Sequence, residues 1–237
     1  MSPKKPSTKF HNRLLAAMTP DDLASLEGEL QPVAFDRGKG LETANKRIET
    51  VYFPEQGIAS VVGGGNNGNR EIEIGVIGFE GVTGLPVIFG NHRSPHQTFV
   101  QVPGAAHRIP ANALRAAMEK SASLRPLLLK YAQAFMIQSA HTAVANARGT
   151  IEERLARWVL MAQDRIEKTE LPLTHEFLSL MLAVRRPGVT EALHGLTHKG
   201  LIRHDRGTIF VIDREALVEC ANGLYGVPES EYKRLLG

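Results

Sequence analysis

The chain changes texture once, near residue 110, and that change limits its fold more than any single motif does. From Val33 to Ile109 short β-rich runs recur, at Glu49–Pro54, Ile58–Val62, Glu71–Ile77, Val87–Phe89, Thr98–Val102 and Ala105–Ile109. Between them stand glycine-rich breaks: Gly63-Gly64-Gly65-Asn66-Asn67-Gly68, Gly78-Phe79-Glu80-Gly81 and Pro103-Gly104. Many short strands with turn signals between them predict an antiparallel β-sandwich or jelly roll. A helix over Leu14–Leu30 precedes them, with Thr19-Pro20-Asp21-Asp22 supplying a cap, a first-turn proline and early negative charge. Beyond residue 110 the pattern switches to helix, with one β-hairpin near its end, so the fold class is α+β.

Pro110-Ala111-Asn112 opens a short helix, and Leu124 to about Arg148 runs on without a glycine. Pro126 sits in its first turn, where a missing N–H costs little. Leu124, Leu127, Leu128, Tyr131, Phe135, Gln138, Thr142 and Ala145 recur three or four apart and form one stripe. That stripe packs on the chain's own β domain or forms a seam between two copies. A long helix after a sandwich has more apolar face than one sheet can cover, which favours a dimer seam through Leu124, Leu128, Tyr131, Phe135, Gln138 and Thr142. Polar Gln138, His141 and Thr142 would weaken that seam or set its register. Gly149 then breaks the helix, and Thr150–Lys168 forms another, opened by a capping box in which Glu153 lies three residues after Thr150. Trp158, the one tryptophan, falls on its apolar face as a core anchor for a second domain.

Leu173–Ile202 reads LTHEFLSLMLAVRRPGVTEALHGLTHKGLI. Thr174 suits the N-cap of a first helix with Phe177, Leu178, Met181 and Leu182 on its apolar face. Ala183-Val184-Arg185 makes a short turn, its small alanine letting two helices approach. A second helix starts near Arg186 with Pro187 in its opening turn. It buries Val189, Ala192, Leu193 and Leu196 and stops at Lys199-Gly200. Two short helices joined tightly are the helix-turn-helix plan. Arg186, Gly188, Thr190, Glu191 and His194 are left on faces the core does not need, and the front of such a helix is where base-reading side chains belong in a major groove. Two strands about Arg206-Gly207 follow as a β-hairpin, placed as a wing along phosphates.

Composition bounds the alternatives. At 237 residues the chain has room for two domains, and 43% hydrophobic with 22% charged residues is ordinary for a soluble protein. No run approaches the roughly 20 apolar residues of a membrane span. The basic opening, MSPKKPSTKFHNR, lacks an apolar core and reads as a flexible arm rather than a secretory signal. One cysteine, Cys220, excludes an internal disulfide or a four-thiolate metal site and suits a reducing cytoplasm. His194 with His198, and His92 with His96, are spaced four apart but have no third ligand at a suitable spacing. There is no Walker loop, no nucleophile elbow and no cupin-type His-x-His pair. The chain reads as a non-enzyme, with no cofactor and no metal identified. A net charge of +3 is too small to decide for or against nucleic acid.

Taken whole, the sequence resembles the Crp/Fnr family, the bacterial cyclic-AMP receptor protein and its relatives. The block from Leu173 matches the family's Ile-Thr-x-x-x-(Ile/Leu) opening, small turn residue, Arg, Val and closing Gly-Leu-Ile, and RGTIFVIDREAL resembles its wing and Asp-Arg-x-x-Leu ending. The resemblance implies a flexible arm over 1–12, a cyclic nucleotide-binding-like jelly-roll sensor over 13–122, a dimerisation helix over 123–148 and a winged helix-turn-helix over 149–237. It implies a homodimer on double-stranded DNA with a two-fold symmetric site, RNA polymerase as a further partner, an unidentified small-molecule effector and a cytoplasmic location. Arg186 matches the family's base-reading arginine, whose guanidinium fork suits O6 and N7 of guanine. Thr174 and His175 fall where the family touches phosphate, with Arg185 and Arg206 as further backbone contacts. Two departures stand out: Pro187 replaces an acidic reader, and Glu191 replaces a second arginine. Glu191 accepts from a cytosine amino group or restrains Arg186.

The sensor departs further. The family offers Gly-Glu-(Leu/Ile) to the ribose and Arg-(Ser/Thr)-Ala to the cyclic phosphate. Here the corresponding runs are Gly81-Val82-Thr83-Gly84 and His96-Gln97-Thr98, so the effector pocket maps to Gly81, Val82, Thr83, Gly84, Gln97 and Thr98. Without the arginine, burying a phosphate there is costly. The reading is a regulator that does not use cyclic AMP. The alternatives are a cyclic-nucleotide-responsive regulator with a remodelled pocket, and a ligand-binding protein whose winged helix mediates protein contacts.

Overall fold

Proline decides where the first helices lie. In place of one helix over Leu14–Leu30 there are two, α1 (Arg13–Ala17) and α2 (Pro20–Glu27). Thr19 precedes Pro20, which disfavours helical backbone at Thr19; held extended, its side chain accepts the Asp22 N–H instead. The structure is a computed structural model describing residues 9–64 and 71–237. The expected arm over 1–8 and residues 65–69 of the glycine/asparagine turn lie outside the described residues. Residues 9–12 of that arm are held in place. Asn12 is fully buried, donates from Nδ2 to the Pro54 and Gly81 carbonyls at 2.8 Å each and caps α1, while the Phe10 ring meets His107 edge-on.

The strands follow as β1 (Gln31–Phe35), β2 (Gly40–Glu42), β3 (Thr50–Pro54), β4 (Ile58–Gly64) and β5 (Glu71–Ile77), then helix α3 (Leu85–Ile88), β6 (Gln97–Val102), β7 (Gly104–Pro110) and helix α4 (Ala111–Lys120). They make a three-stranded sheet, β1-β7-β3, and a four-stranded one, β2-β6-β4-β5. The jelly roll expected from the glycine-punctuated runs is therefore present. Its core is Phe35, Val51, Phe53, Ile58, Val100 and Ile109, all fully buried, with Val51 opposite Ile109 across β3 and β7. Each such side chain contributes about 1.5–3 kcal/mol by leaving water. The strand expected at Val87–Phe89 is the helix α3 instead: Pro86 suits a first helical turn, and so short an apolar run does not distinguish strand from helix. β1 and β2 carry no alternation in sequence, and β1 is mostly exposed.

By contacts the chain divides into two compact units, one of residues up to 61 with 76–133, the other of 62–75 with 134–235. The second contains the later part of α5 (Leu124–Arg148), then α6 (Ile151–Ile166), β8 (Glu170–Leu171), α7 (His175–Met181), α8 (Arg186–His198), β9 (Ile202–Asp205), β10 (Thr208–Val211), α9 (Arg214–Cys220) and α10 (Val227–Leu236). Both halves of the Thr150–Glu153 capping box are formed at the start of α6. Trp158 is buried as a core residue, and its Nε1 also donates to the buried Glu73 carboxylate at 2.7 Å. Among the described residues no helix is long and apolar enough to cross a membrane.

The stripe assigned to a dimer seam is corrected here. Leu124, Leu128, Tyr131, Phe135, Gln138 and Thr142 are all buried within this one chain. Tyr131 lies against Gly81, Phe135 and Gln138 lie against Gly75, and the Thr142 hydroxyl accepts from Arg157 at 3.1 Å. A side chain already covered by its own protomer has no apolar surface left to offer a second.

Candidate nucleic-acid interface

The first helix of the motif begins where its cap says. Thr174 has extended backbone and accepts the Phe177 N–H, so α7 starts at His175. Leu178, Met181 and Leu182 are buried, with Phe177 half-buried beside them. The turn depends on Ala183, which takes a left-handed φ of 51°. Its small side chain eases a conformation that costs a bulkier residue more. Arg154 of α6 donates to the Leu182 carbonyl at the end of α7, which ties the turn to the domain core.

Helix α8 has the bounds its sequence implied. Arg185 is the N-cap residue, Pro187 lies in the first turn, and Val189, Ala192, Leu193 and Leu196 are buried. Burying that face leaves Arg185, Arg186, Pro187, Glu191 and His194 in solvent. Arg186 is 71% exposed, its guanidinium 3.8 Å from the Glu176 carboxylate of α7. Both groups are so well hydrated that the pair is worth about 0–1 kcal/mol and leaves the arginine available. The resemblance left Glu191 either to contact a cytosine or to restrain Arg186; the carboxylate paired with Arg186 is Glu176, on a different helix. No local pattern marks it.

Two other assignments need adjustment. Gly188 does not face outward: a Cβ there would stand 3.3 Å from Ile151 of α6, so the glycine serves helix packing. Thr190 spends its hydroxyl on the Arg186 carbonyl at 3.1 Å. The hairpin is formed as expected, with Asp205 opposite Thr208 and both turn residues, Arg206 and Gly207, at positive φ. This two-residue loop matches the twist of its strands and presents Arg206 at its tip. β8 adds a third strand, in the order β8-β10-β9.

Histidine joins the motif to the wing. The His175 ring stacks on His204 of β9 with centroids 5.0 Å apart. Burial first, and then the neighbouring His175, holds the His204 imidazole below the ordinary histidine range. On the outer edge Arg203 covers the Phe210 ring at 4.2 Å. Among the described residues no group of three or more His, Cys, Asp or Glu side chains is placed to hold a metal ion.

Residues 153–220 match the family described as the Crp-like helix-turn-helix domain. No curated protein matches the sequence. Among solved structures, a Crp/Fnr-family regulator from Eubacterium rectale superposes with a TM-score of 0.69 at 16% identity, covering 90% of this chain and 99% of its own. A CRP-family transcriptional regulator from Thermus thermophilus gives 0.67 at 17% identity over 81% of this chain and 97% of its own. The c-di-GMP-responsive global regulator of Xanthomonas campestris gives 0.64 at 14% identity, over 81% and 99%. The chain thus has the fold of Crp/Fnr transcriptional regulators from the β domain to the Crp-like domain.

The six residues assigned to the effector pocket are mostly inaccessible. Gly81, Val82, Thr83, Gly84 and Thr98 are buried, and Gln97 alone is exposed. Thr83 exchanges bonds with the Tyr52 backbone, its N–H to the carbonyl at 2.9 Å and its hydroxyl accepting from the Tyr52 N–H at 3.0 Å. The Gly84 N–H is bound by Glu42, a residue to which the sequence drew no attention.

Proposed function

We propose that this protein is a sequence-specific, DNA-binding transcription regulator of the Crp/Fnr type that acts as a homodimer and does not use cyclic AMP. The observation that carries the reading is Arg186, exposed to solvent at the front of α8 while the opposite face of that helix is the domain core. Arg186 reads a guanine in the major groove, Arg185, His175, Thr174 and the wing residue Arg206 contact phosphates, and Pro187, Thr190 and Glu191 shape the remaining base preference. RNA polymerase is a further partner, and the cytoplasm is the place of work.

The dimer seam is the opposite face of α5 from the one sequence periodicity chose. Leu129, Gln133, Met136, Ala140, Ala143 and Ala147 are all exposed and recur at alternating steps of four and three, the heptad spacing of a two-stranded coiled coil. Met136 is 61% exposed, and the alanines permit close approach of a second helix. A second copy of the same helix is the occupant such a self-complementary stripe fits. If a signal shifts the paired helices, the spacing of the two α8 helices changes, and only one spacing meets successive major grooves.

Selection of bound sequences from random DNA, followed by footprinting, tests the whole reading. It should return a two-fold symmetric site with both halves protected, at an affinity that falls steeply with salt. Protection of a single half-site, or binding insensitive to salt, would count against it. Met136→Glu should convert a dimer to a monomer in sedimentation and abolish two-site protection.

A further inference from the structure

The residues that correspond to the family's effector-binding runs converge on one side chain. Glu42 ends β2 directly opposite Thr98 in the β2–β6 ladder. Its Oε1 accepts the Gly84 N–H at 2.8 Å, and the carboxyl also accepts from the Thr98 side chain. Glu42 is 9% exposed and Thr98 1%. Gly84 aims its N–H from a left-handed φ of 74°, and a Cβ at that position would meet Val51 Cγ1 at 2.3 Å. A carboxyl so placed has given up most of its water, and burial pushes it above the usual carboxylate range while the two bonds pull it back.

The surrounding groups are engaged as well. The Gly81 carbonyl accepts from Asn12 at 2.8 Å, Tyr131 lies across Gly81, and Thr83 is spent on Tyr52. Two of the site's donors, the Gly84 N–H and the Thr98 hydroxyl, are held by Glu42.

We propose that Glu42 is the specificity-determining residue of the sensor, an internal carboxyl that occupies two buried donors on which an external phosphate would otherwise draw and so closes this site to cyclic nucleotides. An incoming phosphate would have to displace Glu42 from both bonds or lie beside its carboxyl. The inference deepens the cyclic-AMP-independent reading given above, rests on it, and does not depend on DNA binding.

Calorimetry and thermal unfolding of the full chain test it, with cyclic AMP, cyclic GMP and sodium acetate as probes and sodium chloride at matched ionic strength as control. The wild-type protein should ignore all three probes. Glu42→Ala vacates the donors and should gain saturable acetate binding, on the order of tenfold tighter than any wild-type response, with its melting temperature moving back toward wild type. Glu42→Gln, which keeps the shape, should not respond to acetate. A Glu42→Ala protein indifferent to acetate, beside a wild type indifferent to nucleotides, would overturn the role of Glu42 and leave the cyclic-AMP-independent reading intact. Micromolar binding of either nucleotide by the wild type would overturn both. Should Glu42→Ala fail to fold, a Glu42→Gln/Thr98→Val cycle reads the same contact: coupled losses of stability support it and strictly additive ones overturn it.

Discussion

At the front of α8, Arg185, Arg186 and Pro187 stand in solvent above a buried Val189–Leu196 face, whereas in the β domain Val82, Thr83 and Thr98 are buried and the donors around them are taken by Tyr52 and Glu42. The first region leaves its polar groups in solvent. The second spends them on itself. Exposed cations cost little to leave unpaired, so an outward face is kept by placing its residues opposite a core face. Buried donors must be satisfied at once, and in this jelly roll Tyr52 and Glu42 satisfy them.

The sharpest way to break this contrast is to remove the core that holds α8 outward. Leu193→Ala should destabilise the Crp-like domain by about 2–5 kcal/mol in denaturant unfolding, and DNA binding should fall with it. A smaller cost would mean that α8 is less dependent on its buried face than its packing implies. Next is Gly84→Ala, which meets both an unfavourable φ and Val51; a loss of about 2 kcal/mol or more is expected. Tolerance of that methyl would mean that the site is roomier than a self-filled one, and the contrast would fail.

Arg186→Ala separates the regions most cleanly. It should cost about 1–3 kcal/mol of binding and relax preference at one base pair, with the melting temperature unchanged. A stability loss equal to the binding loss would make Arg186 a structural residue. The smallest effect concerns pH. His204 is held below its ordinary value of 6.5, chiefly by burial, then by His175, with His194 adding to the shift and Asp205 opposing it. A depressed histidine contributes stability that is complete above about pH 6.5 and is lost as pH falls from there toward its folded value. Chemical unfolding of wild type and His204→Gln across pH 5–8 should therefore show a decline on the acid side that the variant flattens; identical profiles would remove His204 from the account.

What the amino-acid order determined alone was everything carried by neighbours along the chain. The bounds of α5 and α8, the Thr150 and Thr174 caps, the Arg206-Gly207 turn and the buried set Val189, Ala192, Leu193 and Leu196 all follow from periodicity, capping chemistry and turn residues acting within a few positions. Only the tertiary structure decided which face of α5 is covered, that Gly188 faces Ile151, that Glu176 rather than Glu191 lies beside Arg186, and that Glu42 fills the space around Gly84 and Thr98. Each of these is a meeting of groups distant in sequence, or a choice between two faces that periodicity finds equally regular. Spacing records which residues share a face; it does not record what comes to lie against it.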